Sequence, residues 1–444
     1  MSVPFATSIS QGRSKQLTAE RLINLYAEKA PDQANSPVVI YGTPGLSRFA
    51  IVGTGPIRAT HEMASVLFVV SGVQLFSVDS SGTPTLLGAI AGTGRVHTAD
   101  NGTQLVLVND IGTGFVWDGA TLDTITDPDY QLASSCAFLN QYIVFSVKGS
   151  GQFFWSGILD AKAYDALDFA TAESSPDILV EIISSSGLLW MLGEKTVDVF
   201  YNSGSSAVFE RVSGAPMEIG ATANTVVSLD NSPFWLSNGI FYRANGYAPV
   251  RISTHSIENL IRGWTGPRAF RYIDEGHRFY VVSFDQGCVV YDTTTGLWHE
   301  RETFSVGRWR GCCYSSTYGK HLVGDYLLGL IYEMDLETYM DDTFVLQSRA
   351  ITPFINDNGK KIDLGSIQVV FEHGVGLTEG SDPQVILDWT DDGVTWSNEL
   401  WRGLGKIGER LARTKWNRLG SFRSRAFRVT ISDPVKRIII GANL

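Results

Sequence analysis

Seven histidines, His61, His97, His255, His277, His299, His321 and His373, stand singly along this chain of 444 residues. A hydrolytic metal centre needs imidazoles at spacings such as HxH or HExxH, and neither occurs. Two glycine-rich stretches, GTGPIR at 53–58 and GTGR at 92–95, lack the Gly-Lys-Ser/Thr that a phosphate loop requires. No GxSxG elbow is present for an activated serine. The acidic pair Asp341-Asp342 could in principle flank a glycosidic bond, but a chain with 46 Asp and Glu produces such pairs without any catalytic reason. Cys136, Cys288, Cys312 and Cys313 form no CxxC motif. Neighbouring side chains alternate faces on a strand, so Cys312 and Cys313 are expected to be poor partners for one metal. All four cysteines read as small buried hydrophobes in a reducing compartment. The chain is therefore expected to carry no catalytic residue, no metal and no cofactor.

The elements that hold these residues are legible from composition. Hydrophobic residues make up 44%, aromatic residues 11% and charged residues only 18%, enough to bury a substantial core. The 45 glycines are scattered between short apolar runs, which is the composition of an all-β protein with many turns. The first thirty residues contain no apolar stretch of signal-peptide length. The longest apolar runs fall far below the ~20 residues that span a bilayer, so a soluble protein made in the cytoplasm is expected. The net charge of −11 is unevenly placed: residues 401–437 hold 11 Lys/Arg against two Asp/Glu, leaving about −20 on the rest. An acidic body does not bind nucleic acid by neutralising phosphates.

Along the middle of the chain one unit recurs, an apolar strand, a tight turn and a second strand rich in aromatics. It begins at Val66, Gln104, Tyr142, Leu188, Pro233, Phe279 and Lys320, at intervals of about 37 to 47 residues. That interval suits four-stranded β-propeller blades, six or seven of them, because a single twisted sheet cannot bury both faces until a neighbour stacks on each. Two β-sandwich domains are the alternative. From about residue 336 the pattern changes to longer alternating strands near 343–352, 365–372, 383–390, 426–432 and 435–442, which read as a C-terminal β-sandwich or platform over 336–444. The propeller is assigned to 51–335, and 1–50 to an N-terminal segment packing with the platform. Helix signals are sparse; 18–29, capped by Thr18, and 256–262 are the candidates.

Two terminal segments carry a family resemblance. RLINLYAEKA at 21–30 followed by YGTPGL at 41–46 supplies an opening motif built on Asn24, Tyr26, Glu28, Pro44 and Gly45. At the other end, 391–442 combines a DG-TW hairpin, G-x-x-G-x-x-x-x-R, W-x-R-L-G-x-x-R, a strand, Asp-Pro and a last apolar strand. Both resemble the packaged-DNA stabilisation proteins that form the tail nozzle of short-tailed, Salmonella-podovirus-type bacteriophages. The resemblance covers about a quarter of the chain and implies a structural virion protein, a homo-hexameric ring in the phage tail under the portal–adaptor connector. It also implies contacts with tail spikes or fibres and with a plug or needle, and a lumen through which double-stranded DNA passes without specific binding. No membrane insertion is expected.

The closing segment also has a reading of its own. Trp401, Arg413, Trp416, Arg418, Leu419, Arg423 and Arg425 combine the residue types that dominate interface hot spots, and they are the expected assembly interface. A solvated basic face with core tryptophans, or a nucleic-acid patch, are the other readings. Asp391–Trp396 overlaps the D-x-G-x-T-W box of sialidase-type propellers, which is a structural turn. A glycan-binding or glycan-cleaving propeller of a phage tail is the second functional reading. If DNA passes this protein, the excess acid is expected to line the passage and repel it.

Overall fold

The structure is a computed structural model that describes residues 2–3, 5–30, 36–172, 176–205, 207–377 and 380–443. Among these, strands organise as seven four-stranded antiparallel units at 57–89, 97–124, 133–171, 179–211, 227–251, 268–300 and 311–335, the last completed by the strand Gly45–Ile51. They form a β-propeller, and they are numbered here as blades one to seven in that order.

Turn chemistry makes these hairpins. In six of the blades a two-residue turn with both φ angles positive joins the first strand to the second: Ala64-Ser65, Asn140-Gln141, Ser186-Gly187, Asp230-Asn231, Glu275-Gly276 and Tyr318-Gly319. Such turns match the right-handed twist of the strands they join. Blade two instead uses the longer connection between Asp100 and Leu105, folded on the Asn101 side chain.

Burial follows from stacking. Successive residues of a strand face opposite sides, so each blade feeds two cores. In Leu105–Val108, Leu105 and Leu107 join blade one while Val106 and Val108 join blade three. Such strands read as unbroken apolar runs because both faces are covered. Seven apolar clusters lie between successive blades, and the last of them packs Cys312, Leu322 and Ile331 of blade seven against Ile57, Leu67 and Val69 of blade one. The circle closes by hydrogen bonds and out of chain order, since Gly45–Ile51 pairs antiparallel with Leu330–Asp335 from Gly45↔Asp335 to Ile51↔Leu330.

The expected domain edge between 50 and 51 therefore runs through a propeller strand, and the propeller begins at Gly45. Blade seven takes only three strands from 311–335, and the strand near the other end of the chain supplies its fourth. The expected helix at 18–29 is instead two strands, Arg21–Ile23 and Leu25–Lys29. Their apolar residues alternate onto two sheets, and tertiary packing overrides the cap signal. The second helix candidate is present as His255–Leu260, with the Thr254 hydroxyl accepting from the Ile257 amide.

The C-terminal β-sandwich is built from both chain ends. One sheet orders Leu25–Lys29, Val38–Gly42, Ile438–Asn443, Ser366–Phe371 and Thr414–Asn417. The other orders Arg21–Ile23, Ser348–Ile351, Ser424–Ile431, Gln384–Thr390 and Leu400–Gly403. Between them lie Leu22, Leu25, Ile40, Val385, Trp416, Phe427 and Val429. The second sheet does not stop at Arg21–Ile23, because Ile23 pairs parallel with Glu300 at the outer strand of blade six. Propeller and sandwich thus share one continuous ten-stranded sheet.

One cysteine expectation needs correcting. A register shift between Gly311 and Cys313 makes Cys312 the extra residue of a bulge. The two sulfurs then lie 3.9 Å apart instead of on opposite faces.

Candidate assembly interface

The opening motif lies at the seam between the domains. Asn24 sits at φ +55, a conformation that asparagine tolerates, and it is almost fully buried. Its side-chain amide donates to the carbonyls of Glu302 and Gln347, each at 2.8 Å, while its oxygen accepts from the Glu302 amide at 3.0 Å. One side chain therefore ties the N-terminal segment to the end of blade six and to the start of the sandwich. Beside it, Arg21 grips Glu300 through two bonds of 2.8 and 2.6 Å, and the Glu300 charge raises the Arg21 pKa.

Tyr26 packs against Tyr41, His277, Phe279 and His299 with ring centroids 5.2 to 6.1 Å apart, and burial pushes its phenol pKa up. Glu28 reaches within 3.5 Å of His277 Nε2. The Pro44 carbonyl accepts from Arg301, whose guanidinium stacks 3.7 Å over Trp309. Gly45 is required by close approach, because a Cβ there would lie 2.2 Å from the Thr338 carbonyl oxygen. The opening motif is the clasp that joins propeller to sandwich.

The closing segment divides. Trp416 is fully buried in the sandwich core, and its indole N–H donates to the Leu400 carbonyl at 2.8 Å. Leu419 is buried in the same core. Arg425 holds Asp391 through bonds of 2.6 and 2.8 Å, donates to the Leu419 carbonyl, and stacks over Phe422 and Trp389. These three residues, expected at the assembly interface, serve the chain's own interior. Period-two burial explains the split: in Thr414–Asn417, Thr414 and Trp416 point inward while Lys415 and Asn417 point out.

Trp401, Arg413, Arg418 and Arg423 remain exposed. Trp401 lies on Leu400–Gly403, the edge strand of one sheet, and Thr414–Asn417 is the edge strand of the other. The intervening loop leaves Leu411 94% exposed and Ile407 59% exposed among Lys406, Arg410 and Arg413. Large apolar side chains thus stand exposed in a basic border beside two sheet edges. The DG-TW stretch is a turn: Asp392 accepts from the amides of Val394 and Thr395 at 2.8 and 2.7 Å, which holds its carboxyl well below the usual range.

A third feature was not foreseen. The first strands of the seven blades enclose an axial cavity of about 650 Å³, lined by Arg58, Arg95, His97, Glu181, Arg268 and Arg271 among others. Two of these arginines end the glycine-rich stretches that fail as phosphate loops. Charged residues interrupting short apolar strands at matching places in several repeats were the available signal.

A seven-unit propeller fused through one sheet to a β-sandwich made from both termini defines a two-domain β protein. Residues 1–339 match the phage stabilisation family model described as "Bacteriophage P22 Gp10, beta-propeller", and residues 347–444 match the model described as "Bacteriophage P22 Gp10, beta-sandwich". The chain belongs to this family of bacteriophage structural proteins, and its role is that of a virion structural component. Among curated proteins none matches in sequence. Similar solved structures include the computationally designed Ika8 protein, at 14% identity and TM-score 0.41 over 71% of this chain and 99% of that one. BamB from Moraxella catarrhalis is similar at 12% identity and TM-score 0.42, over 71% of this chain and 97% of that one. The extracellular domain of the hybrid two-component system BT4673 from B. thetaiotaomicron is similar at 10% identity and TM-score 0.46, over 77% of this chain and 45% of that one. At these scores the likenesses carry no argument about function.

Proposed function

We propose that this chain is the subunit of a homo-hexameric tail nozzle ring, seated under the portal–adaptor connector, that retains packaged DNA and forms the channel for its ejection. The observation that supports the reading best is the two-domain family match, spanning both propeller and sandwich. The continuous sheet between the domains fits a part that must transmit load without hinging. In this reading the exposed Trp401, Ile407, Leu411, Arg413, Arg418 and Arg423 face an acidic surface of the connector or of the next subunit. Spikes or fibres and a plug or needle take other faces of the ring. Heterologous cyclic contacts suit the task because each subunit offers two different patches. The acidic balance of the remaining chain would let DNA slide past without condensing on the wall.

Mass photometry of the purified chain, alone and with the portal–adaptor complex of the same phage, tests this. A mass gain matching about six copies per connector is expected for a closed ring. Absence of association in both conditions would overturn the nozzle reading and direct attention to carbohydrate ligands.

A further inference from the structure

The axial cavity of the propeller holds more positive charge than its walls neutralise. The first strand of every blade lies at the hub, and each touches the next around a closed ring. Because the blades repeat one topology, these strands run the same way along the axis. Arg58, Arg95 and Arg268 stand within two residues of the starts of their strands, so they converge at one end of the cavity, and Arg271 follows three residues further along the strand that Arg268 begins.

Their hydrogen bonding is unequal. Arg58 is almost wholly buried and fully engaged, donating to the carbonyls of Gly94, Gly72, Ile90 and Ala91 and to Asp110 at 3.0 Å. Arg95 spends one donor on the Asn224 carbonyl at 2.7 Å, and Arg271 spends one on the Ser228 carbonyl. The Arg268 side chain makes no hydrogen bond or ion pair with the described residues, although it is half-buried in the cavity wall. Guanidinium groups carry five donors each, in a fork that matches the oxygens of phosphate and carboxylate.

The acids nearby do not balance this. Glu62 is held at the Ala64-Ser65 turn by the Ser65 amide. Glu181 is buried with His97 Nδ1 3.8 Å away and accepts from the Val226 amide. Desolvation raises its carboxyl to about 7 against the pull of Arg95, and this single carboxyl cannot balance Arg95, Arg268 and Arg271 together. His97, close to Arg95 and Arg268, is driven down to about 3 by burial and by both arginines, so it stays neutral.

We propose that the axial cavity is a binding site for a small multivalent oxyanion, a phosphate or a di- or tricarboxylate, gripped by Arg268 with Arg95 and Arg271. A 650 Å³ cavity admits such an ion with part of its water. The anion would fill the donors that the protein leaves open and cancel the repulsion among arginines from blades far apart in sequence, pinning the hub.

Isothermal titration of the full-length chain at low ionic strength, with sodium phosphate and separately with citrate, tests the site. One site per chain is expected for at least one of the two anions, and which one binds identifies the source chemistry. Arg268→Gln should weaken binding tenfold or more, while the exposed Arg262→Gln should leave it unchanged. If Arg268→Gln fails to fold, Arg271→Gln is read in its place with the same expected loss. No binding of either anion by the unmodified chain, or undiminished binding by the cavity variant, would overturn the proposal.

Discussion

Propeller and sandwich are both all-β, yet they are assembled by opposite rules. Each propeller core joins strands from adjacent blades, as when Leu105 and Leu107 meet Phe68 and Leu75. The sandwich core joins Leu22 and Leu25 to Phe427 and Val429, from opposite ends of the chain. Local repetition makes the propeller tolerant, because seven similar interfaces share the load. The sandwich has a single core and depends on the long-range meeting of both termini. The closing motif sits on the side with no redundancy, and the opening motif sits on the seam that joins the two domains.

The sharpest break in that comparison is Trp416→Ala. Removing a fully buried indole from the lone sandwich core should cost about 3–5 kcal/mol. Guanidinium denaturation should then show the sandwich signal lost before the propeller signal. A single cooperative transition shifted as a whole would mean that the shared sheet couples the domains completely.

Asn24→Asp comes next. It removes two donors from buried carbonyls and should cost about 2–3 kcal/mol. Limited proteolysis should then cut near Glu302 and near Gln347, the two points that Asn24 holds, faster than in the unmodified chain. Unchanged cleavage would mean that Arg21–Glu300 suffices as the clasp.

A pH profile separates the two regions differently. The Glu181 pKa is raised from 4.5 to about 7 in the folded propeller, so the folded state binds more protons than the unfolded one in that interval. The stability held by its neutral carboxyl is full below pH 4.5 and is lost as pH rises through about 7. Glu181→Gln should therefore gain stability relative to the unmodified chain at pH 8 compared with pH 4, measured by urea midpoints. An equal difference at both values would place the titration elsewhere.

The smallest stability effect is expected from Arg418→Ala and Trp401→Ala together. Both side chains are exposed, so each should shift stability by no more than about 0.5 kcal/mol. If the nozzle reading holds, the pair weakens association with the connector in mass photometry while the fold is untouched. Normal assembly by the double variant would remove the interface role from this edge.

How much was legible depended on sequence separation. The hairpin of Tyr142–Val147 with Gln152–Trp155 is contiguous, and its turn and apolar alternation announce it. The strand Gly45–Ile51 is invisible as a propeller strand from its own residues, since its partner lies near residue 330. The same holds for Arg21–Ile23, whose cap-like surroundings suggested a helix until blade six and Ser348–Ile351 supplied strands on both sides.

The interface residues show the limit most clearly. Composition marked 401–425 as basic and aromatic, which is correct, but could not separate Trp416 from Trp401. One faces a core built by residues 22–40 and 385–431; the other faces solvent from an edge. The sequence alone determined the β class, the repeat interval, the change of pattern near residue 336 and the family-like termini, because these reside in local periodicity and in contiguous motifs. Only the tertiary structure decided which strand closes the ring, which arginines meet at the axis and which motif residues are core. Those outcomes depend on contacts between residues hundreds of positions apart, and local propensity does not encode them.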